Sequence, residues 1–345
     1  MAYRYLGNKA RLAGWVVDAI ATRVPAGATV ADPMCGTAAV SRELADRGYR
    51  VLAADLLRFP TLHARARLLV DATFDDEVGF APVGTYADAL AALDALPPED
   101  GLFAREYGMA GTPANGSRPR RYFTPENAGR IDAARRTLRE WRAAGMPDAA
   151  VDLLLHDLVR AVNTVANVAG TYGFYRADLN PAAAGRLTFT PTPRAPDRGP
   201  GAGHRVAQGA VEDLAATIEA DVVYLDPPYT KRQYAGVFHI PETIAREDDP
   251  EPAGLGGLRD WSDARSDFCS YRRARQALSD TVKRLEVPLV VVSYSEDGVV
   301  PPDRVRETLD EHGRVTRLER PRGRFRSNGG RDGPVHEHLY LVEKR

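Results

Sequence analysis

The segment Asp226-Pro227-Pro228-Tyr229 follows directly on the apolar run Val222-Val223-Tyr224-Leu225. Two consecutive prolines cannot continue a strand; they fix a stiff, extended turn whose carbonyl groups stay free to face a ligand. A carboxylate beside such carbonyls can accept both hydrogens of a planar exocyclic amine, and a neighbouring tyrosine ring offers a face on which a base can stack. That combination suits attack by the amine nitrogen of a nucleobase on an electrophile. The bland alternative is a strand-terminating loop whose aspartate caps the next helix.

A second polar loop, Asp32-Pro33-Met34-Cys35-Gly36-Thr37-Ala38, follows the β-prone Ala28-Thr29-Val30-Ala31, and Asp55 closes the next apolar run, Tyr49 to Ala54. In open α/β sheets ligands bind at the carboxyl ends of the strands, where both aspartates would lie. A dinucleotide needs several glycines so that backbone and helix N-terminus can approach its pyrophosphate. This loop offers Gly36 alone, which disfavours a nicotinamide cofactor. S-adenosylmethionine has no phosphate, tolerates Ala38 and Ala39, and needs carboxylates for its ammonium and ribose hydroxyls; Asp55 is spaced for the ribose. Lys9, after Tyr5-Leu6-Gly7-Asn8, is a cation suited to the carboxylate of the methionine moiety.

These residues need a sheet to hold them. Val222–Leu225 and Leu289–Val292 are continuous apolar runs ending in polar loops, as buried parallel strands do. Val40 to Gly48 reads as a helix between the first two strands, and Val315–Leu318 with His338–Val342 reads as a terminal antiparallel hairpin. From 59 to 204 the pattern turns helical: Thr124 stands as N-cap before Pro125, and a second helix begins near Asp148. The expected organisation is a core of 1–58 and 205–345 interrupted by a helical insert, 59–204. With 345 residues, 44% apolar, 27% charged and no apolar run of about 18, the composition is that of a globular protein without a membrane span. The N-terminus lacks an apolar signal core, so a cytoplasmic location is expected. Cys35 and Cys269 are too few for a disulfide framework, and the seven histidines show no zinc-ligand spacing, so no metal is expected.

The order of Tyr5 to Lys9, Asp32 to Ala38, Asp55, a helical insert, Asp226 to Tyr229 and a terminal Ser327-Asn328-Gly329-Gly330-Arg331 resembles the Dam-like adenine-specific DNA methyltransferases. The similarity extends to Arg121–Asn127, Ala166–Gly170, Gln233-Tyr234, His239 and Glu242. The resemblance implies an α/β, Rossmann-like S-adenosylmethionine-dependent sheet with helices on both faces and an inserted, mainly helical target-recognition region. It also implies methyl transfer from S-adenosyl-L-methionine to the N6 amino group of a flipped adenine in double-stranded DNA. Cofactor positions fall on Tyr5, Lys9, Asp32, Gly36, Asp55 and Asp226, and the catalytic motif on Asp226, Pro227, Pro228 and Tyr229. The sequence departs from the family at Met34, where phenylalanine is usual, and at Ala38, where glycine is usual. The same acceptor geometry would serve N4-cytosine or RNA N6-adenine methylation, and a catalytically silent DNA-binding protein could keep the fold. A companion restriction endonuclease encoded nearby is a further implied partner.

A net charge of −1 means that any DNA contact must come from local patches. Arg118, Arg120 and Arg121 interleave with Tyr122; Arg272, Arg273 and Arg275 follow Tyr271; Arg320, Arg322, Arg324 and Arg326 surround Phe325. From these and the terminal motif, Arg121, Tyr122, Arg324, Arg326 and Asn328 are the expected DNA-binding residues.

Overall fold

In the computed structural model the described residues are 3–71, 73–115, 118–194, 203–323 and 335–345. Seven strands form one mixed sheet: β1 (Thr29–Asp32), β2 (Arg50–Asp55), β3 (Arg205–Gln208), β4 (Val222–Leu225), β5 (Leu289–Ser295), β6 (Gly313–Arg322) and β7 (Val335–Lys344). Their order is β3-β2-β1-β4-β5-β7-β6, parallel through β5, with β7 running antiparallel between β5 and β6. The order reverses at β1, whose neighbours are β2 and β4, and this reversal opens the crevice in which such sheets bind ligands. The parallel strands flanking β1 make this a Rossmann-like sheet, and the terminal hairpin expected from the sequence supplies its antiparallel edge.

Side-chain alternation assigns each residue a face. Ala31, Val223, Leu225, Val290, Val292, Tyr340 and Val342 turn to one side, where they meet Leu278 and Val282 of the helix Ala274–Arg284 and Val305 and Leu309 of the helix Pro302–Asp310. Asp32 points to the other side, where Ser41 of the helix Ala39–Asp46 donates to it at 2.5 Å. The parallel register carries that second face across to Tyr224, Val291 and Ser293. Helices therefore cover both faces.

By internal contacts the chain divides into two compact units. The sheet unit comprises 9–56, 202–233 and 265–345; the helical unit comprises 1–8, 57–201 and 234–264. The helical unit thus holds more than the 59–204 expected from periodicity. Its longest helices are Pro125–Ala143, whose N-cap Thr124 accepts from the Asn127 N–H at 3.2 Å, and Asp148–Val165, buried on most of its circumference. The segment 234–264 joins it for a local reason. Buried Glu242, on the helix His239–Arg246, accepts from the N–H groups of Arg58 and Phe59 at 3.0 Å each, satisfying the first N–H groups of the helix Arg58–Leu68. No helix among the described residues is long and apolar enough to cross a membrane.

Candidate active site

Three carboxylates stand at the carboxyl edge of the sheet unit. Asp32 ends β1, Asp55 ends β2, and Asp226 follows β4 in an extended Asp-Pro-Pro-Tyr segment. No helix follows that segment before Tyr234, so Asp226 is not a helix cap. Its Oδ1 accepts from the Lys9 ammonium at 2.7 Å. Its other oxygen, Oδ2, has no protein hydrogen bond among the described residues, and the side chain is 17% exposed. Burial pushes the Asp226 carboxyl up to about 6, with Lys9 opposing the rise and Glu337 adding to it.

The loop between β1 and its helix is folded back onto β2. The Cys35 N–H donates to the Ala54 carbonyl at 2.9 Å and the Gly36 N–H to Asp55 Oδ2 at 3.0 Å. Gly36 lies at φ 51° and Ala38 at φ 54°, so two left-handed residues within three positions bring the backbone round tightly. Asp32 is 1% exposed; its Oδ2 holds Ser41, and its Oδ1 has no hydrogen-bond partner among the described residues. Burial lifts its carboxyl to about 7, against the Ser41 hydrogen bond and with added repulsion from Asp226 and Asp55.

Lys9 is 5% exposed and lies between two carboxylates, 2.7 Å from Asp226 and 3.1 Å from Glu337. Burial alone would lower its ammonium, but the two carboxylates more than reverse this and hold it charged. Tyr229 is 7% exposed, with the Lys9 ammonium 5.1 Å from its ring centre, the Arg322 guanidinium at 5.9 Å and the Tyr294 ring edge-on at 6.2 Å. Arg322 donates from Nε to Glu337 Oε2 at 2.9 Å and from Nη2 to Ser295 Oγ at 2.9 Å. In sequence Arg322 belongs to an arginine cluster expected to face DNA; in the structure it turns inward. Arg322, Ser293, Ser295 and Glu337 were not identified from sequence. The available signal was a glutamate, between His336 and His338, leading into the apolar run Leu339-Tyr340-Leu341-Val342.

Of the remaining expected site residues, Tyr5, Arg121 and Tyr122 belong to the helical unit. Tyr5 belongs to the helical unit, stacked on Phe238 at 4.9 Å and tilted against Tyr234 at 5.5 Å. Arg121 is exposed on that unit, with its carbonyl held by the Asn167 side-chain amide at 2.9 Å. Tyr122 corrects the expectation of a DNA contact: it is fully buried, and its hydroxyl donates to the carbonyls of Tyr172 and Gly256 at 2.9 Å each. Arg120 is likewise buried, paired with Glu106 at 2.7 Å. Arg324, Arg326 and Asn328 lie outside the described residues.

The chemistry of the donor set fits S-adenosylmethionine. Its sulfonium and ammonium are cationic, and the crevice presents Asp32 with an unpartnered buried oxygen, Asp55 at the adjacent strand end, and Asp226 with one oxygen open. A pyrophosphate would meet three carboxylates there.

Comparison with known proteins agrees with this reading. The chain is 27% identical over 350 residues to the type II methyltransferase M.NlaIII of Neisseria lactamica, covering 99% of each chain. It is 28% identical to the type II methyltransferase M.FokI of Planomicrobium okeanokoites, covering 99% of this chain and 52% of that one. The modification methylase LlaI of Lactococcus lactis subsp. lactis is 30% identical over 88% of this chain and 47% of its own length, so the chain spans about half of these two longer relatives. The D12 class N6 adenine-specific DNA methyltransferase family matches residues 5–296, and with the Asp-Pro-Pro-Tyr segment poised at the reversal of the sheet, the chain belongs to this family of S-adenosylmethionine-dependent enzymes.

Proposed function

We propose that Asp226 holds the N6 amino group of a flipped adenine through its open Oδ2, within a site formed by Asp226, Pro227, Pro228 and Tyr229. The observation that carries this is the division of labour on Asp226, with one oxygen tied to Lys9 and the other open in a half-buried crevice. When bound, S-adenosylmethionine supplies a methyl group on a sulfonium sulfur that departs with the C–S electron pair. The protein's task is to align the amine lone pair and exclude water. Asp226 accepts an amine hydrogen, stabilises the positive charge that grows on nitrogen as the N–C bond forms, and lets the released proton pass to solvent. Asp32, Gly36 and Asp55 would hold the cofactor, with Asp32 and Asp55 facing its cationic and ribose groups. Lys9, already paired twice, serves the Asp226 carboxylate rather than a methionine carboxylate. Tyr229, its ring steered by Lys9 and Arg322, forms the wall on which the base stacks.

The helical unit is proposed to read the target. Its buried Asn167 ties together the strands of chain at Arg121 and Arg176, donating to their carbonyls at 2.9 and 3.1 Å. Arg121 and Arg176 are exposed there beside Phe174, which is 51% exposed, a cation-and-aromatic surface suited to a nucleic acid. A cytoplasmic location and a companion endonuclease belong to the same reading. Labelled S-adenosylmethionine incubated with unmethylated plasmid, followed by digestion to nucleosides, should place label in N6-methyldeoxyadenosine and none in the product of an Asp226→Ala variant. Label in methylcytidine, or in RNA alone, would overturn the assignment.

A further inference from the structure

Glu337 is a carboxylate where the sheet has no ordinary use for one. It lies on the same face of β7 as Leu339 and Leu341, 0% exposed, and burying a charge in such a place is unfavourable unless every oxygen is partnered. Every oxygen is. Oε1 accepts from Ser293 Oγ at 2.8 Å and lies 3.1 Å from the Lys9 ammonium; Oε2 accepts from Arg322 Nε at 2.9 Å. The pairing register makes this possible: Glu337 stands opposite Ser295 on β5 and Arg320 on β6, so Ser293 and Arg322 are each two residues along on the same face. The result is a buried chain Arg322–Glu337–Lys9–Asp226, with two cations and two anions, running from the edge hairpin to the acceptor carboxylate.

Lys9 has three N–H donors and could take both oxygens of Asp226. Drawn toward Glu337, it takes Oδ1 and leaves Oδ2 to the crevice. We propose that Glu337, beyond the 5–296 over which the family matches, is a positioning residue for methyl transfer that holds Lys9 to one oxygen of Asp226 and so keeps the other free for the target amine. This rests on the reading of Asp226 as the amine acceptor. Six groups face that carboxylate: Lys9 from the N-terminal segment, Asp32 from β1, Tyr224 from β4, Tyr229 from the following loop, Arg322 from β6 and Glu337 from β7. Removing the negative charge of Glu337 leaves Lys9 and Arg322 in excess, and the acid limb of the rate profile moves to lower pH.

The test is steady-state and single-turnover kinetics of the full chain with Glu337→Gln, Glu337→Asp and Glu337→Gln/Arg322→Gln. The expected result for Glu337→Gln is a fall in kcat of about 10- to 100-fold, the size of a lost positioning contact, with KM for S-adenosylmethionine within about twofold and the acid limb displaced downward. Glu337→Asp should recover part of kcat. The double variant removes one charge of each sign, so it stays balanced if Glu337→Gln alone does not fold, and its kcat should remain low because Lys9 is still released. A double variant with wild-type kcat would mean that Glu337 only neutralises Arg322, and the proposal would fall. An unchanged acid limb and kcat in folded Glu337→Gln would do the same. Asp226→Asn separates the two readings: if it turns over normally, the acceptor role itself is wrong, whereas an inactive Asp226→Asn beside a normal Glu337→Gln refutes the positioning role alone.

Discussion

Single side chains at the carboxyl edge of this sheet are kept in unfavourable electrostatic states, as expected where binding rather than folding sets the requirement. Asp32 is the clearest case: enclosed, hydrogen-bonded through one oxygen only, and lifted to about 7 mainly by burial. Because its folded value lies above its ordinary 3.8, the folded state binds this proton more tightly than the unfolded chain does. Its contribution to stability is therefore complete at pH below about 4 and is lost as pH rises toward about 7. Asp32→Asn does not titrate and retains a partner for Ser41. It should match the wild type near pH 4 and exceed it by about 4 kcal/mol above pH 7 in thermal unfolding of the cofactor-free protein. The same variant should bind S-adenosylmethionine more weakly. Equal melting profiles across that range would show that the Asp32 carboxyl is not strained.

Among the elements, the turn joining β1 to its helix carries the strain. Ala38, the residue preceding the helix Ala39–Asp46, sits at φ 54° and ψ 34°, a left-handed conformation that costs an L-residue about 1–2 kcal/mol. Its neighbour Gly36 reaches φ 51° without that cost. The departure from the family noted in the sequence, alanine for glycine at 38, thus falls on a strained backbone position. Ala38→Gly relieves the strain but adds freedom to the unfolded chain, which offsets about half the gain. The net expectation is a stabilisation of about 0.5–1 kcal/mol, visible as a higher denaturant midpoint at constant slope. A lower midpoint would mean that the Ala38 methyl group packs more productively than its backbone suffers. The hairpin of β6 and β7 works by the opposite logic: regular pairing over ten residues of each strand fixes the register that delivers Arg322 and Glu337 to one face.

For the molecule as a whole, a net charge of −1 leaves DNA affinity to local patches of exposed arginine. A few of the basic side chains are spent internally: Arg120 and Arg135 are almost completely buried, and Arg259 pairs with Asp248 at 2.6 Å. Binding to a duplex should weaken with salt, its slope about 0.9 per phosphate contacted. Arg121→Ala should lower that slope by about one while leaving S-adenosylmethionine affinity intact, measured by titration at several salt concentrations. A slope unaffected by Arg121→Ala would remove that residue from the DNA-contacting surface.

Local sequence alone determined a good deal. Apolar runs stopped by Asp-Pro identify β1 and β4 with their terminal aspartates, and Thr124-Pro125 marks a helix start, because strand burial, proline geometry and capping act within a few residues. The Asp-Pro-Pro-Tyr segment and the loop after β1 were legible for that reason. What only the tertiary structure decided depends on which distant segments meet. Lys9 could not be assigned to Asp226 and Glu337 without the strand order that places β4 and the β7 hairpin around it. Tyr122 and Arg121 are adjacent in sequence, yet one is sealed among Tyr172 and Gly256 and the other faces solvent, a difference set by packing rather than by composition. The segment 234–264 likewise joins the helical unit because Glu242 satisfies the start of a helix nearly two hundred positions earlier, and no local pattern records such a partner.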